Sequence, residues 1–196
     1  EGDFVAEIAP VTIKTRKGEQ VVATDETPFQ LDIDKIPTLK PAFGKDGTVT
    51  AASSSSISDG AAAIVLMSES AAKAAGLKPI ARLVSYASHA QAPEWFTTAP
   101  APSMQKALDR AGWTVADVDL FEINEAFACV AMAAMRDLGL RHDQLNVNGG
   151  ACAMGHPVGA TGARIITTLL YALRKRGLRL VGGRLILGAE CSRVVD

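Results

Sequence analysis

His156 is the residue of this chain best placed for chemistry, because it lies in a glycine-rich loop. Residues 148–163 are NGGACAMGHPVGATGA, with five glycines in sixteen positions. Glycine lets the backbone approach a ligand closely and adopt positive φ angles, and Pro157 stiffens the turn. An imidazole held in this way could act as a general base or as a donor to an oxyanion. The alternative is a glycine-rich turn that carries an incidental histidine.

Asn124 follows an apolar run in the segment LFEINEAF, residues 120–127. The simplest role for Asn124 is to cap the next helix, with Glu125 favourable in the first turn. Alternatively, its amide faces a cleft at the carboxyl end of the strand, where the ligand sites of α/β proteins lie. The serine run 53–56 is similarly open to two interpretations, a flexible linker or an ordered ligand loop.

The elements that must position these residues alternate between strand and helix. Short β-like runs and scattered prolines fill the first 50 residues, which resemble an elaborated loop region. Alternation beyond that point predicts a three-layer α/β arrangement with a mixed sheet. The predicted strands are 48–51, 61–67, 80–87, 118–123 and 184–187, and the predicted helices are 68–76, 103–111, 124–138 and 161–176.

Two of the predicted helices lack the usual polar face. Residues 126–135 carry no charge, and the helix after Thr161 is nearly uncharged as far as Arg174. A helix that is apolar all round is buried on all sides. We therefore expect layers on both faces and a second, similar domain packed against this one, which is not in this chain.

Composition excludes several classes of function. The net charge is −1, with 48% hydrophobic and 21% charged residues, so we expect neither nucleic-acid nor anionic-membrane binding. The longest uncharged stretch on the predicted helices, residues 126–135, is far short of the roughly 20 residues of a membrane span, and the acidic start is unlike a signal peptide. The three scattered cysteines, with no CxxC or HExxH motif, predict neither a disulfide framework nor a metal site, and favour a cytoplasmic location.

Three segments, taken together, resemble the thiolase family. Residues 46–63, DGTVTAASSSSISDGAAA, are similar to its coenzyme A-binding loop. Residues 123–128, INEAFA, resemble its NEAF motif, and residues 146–165, NVNGGACAMGHPVGATGARI, its GHP loop. The resemblance extends from about residue 4 to 179 and is strongest to the acetyl-CoA acetyltransferases.

The resemblance implies an α/β thiolase-like fold, with αβαβα layers in the full subunit. This chain would give part of the loop domain and the C-terminal αβα half. We expect residues 1–57 to end the loop domain, residues 58–78 to add a strand and a helix to the N-terminal half-domain, and residues 79–196 to form the C-terminal domain.

The resemblance also implies catalytic roles. His156 would activate a nucleophilic cysteine and help to hold the thioester oxygen, and Asn124 would position a water that completes this oxyanion site. The backbone N–H of Gly188 would belong to a second oxyanion site.

Five further residues would contact the substrate by the same resemblance. Phe43 would pack near the adenine of coenzyme A, Ala51 and Ser55 would lie along the pantetheine arm, and Phe96 and Phe127 would form walls of the acyl end.

The cysteines depart from the family's pattern. The half of the subunit with the acyl-accepting cysteine is absent, and so is the ending Cys-x-Gly-Gly-Gly. When the family's ending is aligned without a gap from the GHP loop, its second catalytic cysteine falls on Ile186. Cys191 lies five residues later, and a strand shifted by an odd number of residues would turn its side chains to the opposite face of the sheet. Cys129 should be buried and inert in a helix, and Cys152 lies where the family has no nucleophile.

The expected function is acyl-CoA acetyltransfer: Claisen condensation of acetyl-CoA, or thiolytic cleavage of a 3-ketoacyl-CoA. Coenzyme A and acetyl-CoA would be substrates, with no permanently bound cofactor. Expected partners are a thiolase N-terminal half or other thiolase subunits, in a dimer or tetramer, and the chain alone should be inactive. The alternative is a non-catalytic thiolase-like protein that binds acyl-CoA or packs against a partner.

Overall fold

A computed structural model describes residues 2–178 and, for the backbone alone, residues 185–188. None of the helices among these residues is both long and apolar enough to span a membrane. The strands are β1 (Val11–Thr15), β2 (Gly18–Val22), β3 (Leu120–Ile123) and β4 (Leu185–Gly188), and the helices are α1 (Thr27–Gln30), α2 (Glu69–Ala74), α3 (Pro100–Ala111), α4 (Ala128–Leu138), α5 (Ala151–Met154) and α6 (Thr161–Lys175). Short 3-10 turns cover Ile33–Thr38, Ala51–Ser53, Pro93–Thr98, Val115–Asp117 and His142–Gln144.

The first part of the chain contains a hairpin of β1 and β2. The two strands pair antiparallel from Val11 opposite Val22 to Thr15 opposite Gly18. Gly18 has a φ of 117°, a conformation that favours glycine, and it closes the tight turn between the two strands. Every residue of both strands is exposed, so the hairpin contributes little to the core.

The core is built around β3, whose four residues are all buried. Alternate side chains of a strand point to opposite faces of its sheet. Phe121 and Ile123 pack in a cluster with residues of α3 and α4, whereas Leu120 packs with Leu169 and Leu173 of α6. Helices therefore cover both faces of β3, which agrees with the predicted layered α/β arrangement. β4 pairs with β3 in parallel, within one residue of the predicted final strand.

Three predicted strands are absent from the described structure. Residues 61–67 and 80–87 form no strand, and Val65 and Leu83 are 84% and 66% exposed. Residues 48–51 likewise form no strand and lead into the 3-10 turn at Ala51–Ser53. A strand requires a neighbour for its backbone N–H and C=O groups, and the described residues offer these runs none.

Residues 58–78 accordingly form the expected helix and no strand among the described residues, and their place in the N-terminal half-domain stays a prediction. α2 begins after Ser68, whose hydroxyl accepts a hydrogen bond from the Ala71 N–H at 3.2 Å. Gly76, with φ of 63°, follows the helix as predicted.

α4 is buried on one face only in this structure, and its expected burial on all sides, which rests on a second domain outside this chain, stays a prediction. Val130 and Ala134 are buried, but Met132 is 65% exposed and Cys129 is exposed as well. The helix packs against the core through one face only, because the described residues supply no second layer over the other. Cys129 is consequently accessible and not buried as expected.

Candidate active site

His156 and Asn124 converge at one end of β3. The Nδ2 atom of Asn124 lies 3.4 Å from the Nε2 atom of His156. Asn124 directly follows β3 and is 3% exposed, and His156, beyond the end of α5, is partly buried. The structure thus brings together the two residues that sequence reasoning singled out for catalysis.

Asn124 does not cap a helix. α4 begins at Ala128, and its N-cap residue is Phe127, which has an extended backbone with φ of −137° and ψ of 152°. The chain stays extended because the serine run pairs with it: the backbone N–H and the hydroxyl of Ser55 each donate to the Ala126 carbonyl at 3.1 Å. The structure therefore does not support the capping interpretation of Asn124, whose side-chain amide is directed at His156 instead.

The serine run is an ordered loop that also holds the histidine. The His156 N–H donates to the Ser56 carbonyl at 2.8 Å. Next to it, Gly155 has a φ of 92°, and a Cβ at this position would lie 2.1 Å from Ser58 Oγ. Only glycine satisfies both constraints, so the loop and the histidine fit together through a residue without a side chain.

Thr161, the first residue of α6, orients the imidazole of His156. Its Oγ1 lies 2.7 Å from His156 Nδ1, and the same hydroxyl donates to the Pro157 carbonyl at 3.1 Å. Because the threonine proton is used on Pro157, we assign the ring proton to Nδ1, which leaves Nε2 as the free acceptor beside Asn124. Sequence reasoning missed Thr161. The available signal was its place five residues after the histidine, at a helix start.

The electrostatic environment keeps the histidine neutral. Burial, followed by the positive charge of Arg164, lowers the pKa of the His156 ring below its ordinary value. A neutral ring with an unprotonated Nε2 is the form that accepts a proton.

The amide oxygen of Asn124 has unused hydrogen-bonding capacity. Asn124 Oδ1 is buried and receives no hydrogen bond from any residue that the structure describes. Buried polar atoms are normally paired, so this oxygen is suited to a water or a substrate donor. Once His156 is protonated, Nε2–H and the Asn124 amide can donate to one oxygen, an oxyanion-type arrangement in which each donor is typically worth about 3 kcal/mol.

Three phenylalanine rings form one cluster near this site. The ring centroids of Phe43 and Phe127 are 5.8 Å apart at an interplanar angle of 82°, and those of Phe96 and Phe127 are 6.1 Å apart at 62°. Phe43 is thus in contact with Phe127, although the resemblance assigns the two rings to different parts of the substrate. That division of roles stays a prediction.

The remaining predicted site residues lie in the serine loop and on β4. Ala51 is exposed at the start of a 3-10 turn, and the Ser55 hydroxyl is directed at the Ala126 carbonyl. Gly188 ends β4 opposite Ile123, so its backbone lies at the edge of the sheet where Asn124 begins. Ile186 is two residues earlier on this strand, and Cys191 lies outside the described residues.

Neither described cysteine has the environment of an activated nucleophile. Burial, with the nearby Glu125 carboxylate, raises the pKa of the Cys152 thiol to about 12, so it stays protonated at neutral pH. Cys129 is exposed on α4. Within residues 2–178, no group of three or more His, Cys, Asp or Glu side chains is arranged to hold a metal ion.

Known protein families account for most of the chain. Residues 77–191 match the thiolase C-terminal domain, and residues 1–70 match the thiolase N-terminal domain. The chain belongs to the thiolase family. Its fold is accordingly the thiolase-like α/β fold that the motifs predicted.

This chain is similar to individual thiolases both in sequence and in structure. The chain is 49% identical to the acetyl-CoA acetyltransferase of Paracoccus denitrificans, covering 89% of this chain and 45% of that protein. It is 50% identical to that of Escherichia coli (strain K12), covering 95% and 48%. The acetyl-CoA acetyltransferase structure of Bacillus anthracis superimposes with a TM-score of 0.86 at 46% identity, covering 90% and 45%. For human mitochondrial 3-ketoacyl-CoA thiolase the TM-score is 0.81 at 41% identity, covering 90% and 45%. The chain thus spans about half the length of these relatives.

Proposed function

We propose that this chain carries the histidine–asparagine part of the active site of a thiolase-type acyltransferase. The observation that carries the proposal is the 3.4 Å approach of Asn124 Nδ2 to His156 Nε2 in a thiolase family member. The substrates would be acetyl-CoA and a 3-ketoacyl-CoA, the class named by its relatives. The reaction would be Claisen condensation or its thiolytic reverse.

His156 would act first as a base. Its neutral Nε2 would take the proton of a cysteine thiol, and the resulting thiolate would attack the thioester carbonyl and release coenzyme A. Condensation then requires a base that takes a proton α to a second thioester, which places negative charge on the enolate oxygen. The resemblance gives this role to a second cysteine, at the position that Ile186 occupies in this chain. Asn124, His156 and, at a second site, the N–H of Gly188 would stabilise such oxygens. The nucleophilic cysteine would come from a thiolase N-terminal half.

The aromatic cluster would line the substrate site. Phe43, Phe96 and Phe127 form a continuous apolar surface, and Ala51 and Ser55 lie in the neighbouring loop. An open groove of about 420 Å³ lies between residues 58–62 and residues 157–160, directly beside His156. We propose this groove as the entry path of the pantetheine arm. Coenzyme A would act as a substrate, with no resident cofactor.

The active assembly would contain more than this chain. We propose that a thiolase N-terminal half completes the subunit and that subunits associate as dimers or tetramers, in a reducing compartment such as the cytoplasm. The exposed apolar face of α4, which includes Met132, supports such a partner.

Cleavage of acetoacetyl-CoA by free coenzyme A tests the catalytic proposal. The chain would be combined with a thiolase N-terminal half, and His156→Ala compared with His142→Ala, a change at an exposed histidine in a 3-10 turn. We expect a loss of activity on the order of 100-fold or more for His156→Ala, from the loss of base and donor, and no change for His142→Ala. Equal activity of the two variants would contradict the proposal.

One observation favours a second candidate, binding of acyl-CoA without turnover. Ile186 lies on β4 at the position where the resemblance places a catalytic cysteine. The same assay distinguishes the candidates, because a binding protein would retain affinity for acetyl-CoA in calorimetry and show no cleavage. A thiolase that lacks only the second catalytic cysteine would instead show a low rate of cleavage, which Ile186→Cys should raise.

A further inference from the structure

Asn146 has an unusual backbone conformation close to the site. Its φ is 46°, and it is the only non-glycine residue with positive φ in the part of the chain that the structure describes. Asparagine tolerates this left-handed conformation better than most residues, but the conformation still has a cost. Such a residue persists where its surroundings hold it, which directs attention to its side chain.

The side-chain amide of Asn146 clamps the last residue of β3. Its Oδ1 accepts a hydrogen bond from the Ile123 N–H at 2.8 Å, and its Nδ2 donates to the Ile123 carbonyl at 2.9 Å. The Asn146 N–H in turn donates to the Phe121 carbonyl at 2.9 Å. The amide therefore pairs with β3 as a further strand would, immediately before Asn124.

The second hydrogen on Asn146 Nδ2 extends this connection to the histidine loop. It is donated to Glu125 Oε1 at 2.7 Å, and Glu125 Oε2 accepts from the Cys152 N–H at 3.1 Å. Cys152 lies in α5, four residues before His156. The carboxylate fits tightly, because a Cβ on Gly150 would lie 2.2 Å from Glu125 Cδ.

We propose that Asn146 is a positioning residue that sets the separation of Asn124 and His156. It holds Asn124 through Ile123 and holds the His156 loop through Glu125. Its catalytic consequence rests on the proposed function, whereas its effect on geometry does not. Asparagine is required because it combines one acceptor, two donors and tolerance of positive φ. Aspartate lacks the donors, glycine lacks the amide, and glutamine is longer.

Nuclear magnetic resonance of the histidine rings tests this proposal without any turnover. The chain has three histidines, so His89 and His142 serve as internal references for His156. Asn146→Asp keeps the acceptor for Ile123 and loses the donor to Glu125. Glu125→Gln keeps an acceptor for Asn146 and places a donor where the Cys152 N–H needs an acceptor. The matched control is Asn148→Ala, two residues away, where the side chain bonds only the exposed Arg176 among the described contacts.

The proposal predicts a selective response. In Asn146→Asp and in Glu125→Gln the His156 ring resonances should shift, and the pKa of His156 should rise towards its ordinary value as burial is relaxed. The His89 and His142 resonances and the Asn148→Ala spectrum should stay unchanged. Hydrogen exchange at the Ile123 amide should remain slow in Asn146→Asp and become fast in Asn146→Gly, which removes the acceptor while relieving the positive φ.

Two results would overturn it. One is an unchanged His156 in the two folded variants. The other is a shift of all three histidines in both variants, which would show a role in the fold as a whole. In the complemented acetoacetyl-CoA assay, Asn146→Asp should lower kcat on the order of 100-fold with KM little changed, as expected for a misplaced group. Unchanged His156 resonances in Asn146→Asp and Glu125→Gln would refute the positioning role alone. Unchanged activity in His156→Ala would refute the proposed function and leave the positioning role standing.

Discussion

Residues 100–178 and residues 61–87 are both rich in apolar side chains, but only the first region buries them. Leu108 and Ile165 are fully buried in the first, whereas Val65 and Leu83 are 84% and 66% exposed in the second. The first region holds β3 with helices on both faces, and the second contains α2 between two extended runs. The two regions differ in the packing partners available to them and not in hydrophobicity.

This difference shows that an apolar run predicts a buried strand only where a neighbouring strand is supplied. β3 finds β4 within the chain, and residues 61–67 and 80–87 find none among the described residues. Because the chain spans about half the length of its relatives, we propose that the remaining part of a thiolase subunit covers these runs.

The largest expected effect comes from the same substitution made in both regions. Leu108→Ala should lower the free energy of unfolding by about 2–5 kcal/mol, because it opens a cavity in the core. Leu83→Ala should change it by less than about 0.5 kcal/mol, because the side chain is already in water. Urea unfolding of both variants measures the difference, and equal destabilisation would show that the second region is packed in solution.

A smaller effect is expected within the active-site loop. Gly155→Ala should destabilise the protein by about 1–3 kcal/mol, because alanine is strained at φ of 92° and its Cβ meets Ser58. Gly159→Ala is the matched control, since a Cβ there meets no atom within 4 Å. Thermal unfolding compares the two. If Gly155→Ala were as stable as the control, the fit between the serine run and the histidine loop would be disproved.

A dependence of stability on pH is also expected, due to the buried Glu122 of β3. Burial, opposed by Arg164 at 3.9 Å, raises the pKa of its carboxyl from 4.5 to about 8. The folded state therefore holds this proton more tightly than the unfolded state. The resulting stabilisation is complete below about pH 4.5 and is lost as pH rises through about 8.

Denaturant unfolding between pH 5 and 8.5 measures this dependence. Wild-type stability should decline over the interval, and Glu122→Gln should make the decline shallower. The substitution should not abolish the decline, because burial also raises the pKa of Glu7. An identical slope in the variant would exclude Glu122 as the source.

The two candidate catalytic residues were more predictable from the sequence than the residues that hold them in place. The glycine-rich loop drew attention to His156 but left an incidental histidine open, and the catalytic roles of His156 and Asn124 came from the thiolase resemblance. Asn124 carried two interpretations, and the choice depended on Ser55 bonding Ala126, a contact between distant segments that no local pattern encodes. Thr161 and Asn146 were missed for the same reason, since ordinary polar residues gain their roles only from partners brought near by folding.

Another error also came from long-range contacts. Cys129 was predicted to be buried because the charge-free run of α4 suggested cover on every side, and the described chain supplies cover on one side only. The layered α/β class, by contrast, followed from alternation of elements, which is a local property.

A double-mutant cycle on His156 and Asn124 tests most directly the claim that the two side chains form one site. The measurement is kcat/KM for acetoacetyl-CoA cleavage by the chain combined with a thiolase N-terminal half, for wild type, His156→Ala, Asn124→Ala and the double variant. Groups that act as a unit are strongly non-additive, so the double variant should be hardly slower than His156→Ala alone. Losses that simply multiply would show that the two residues act independently and would contradict the shared site.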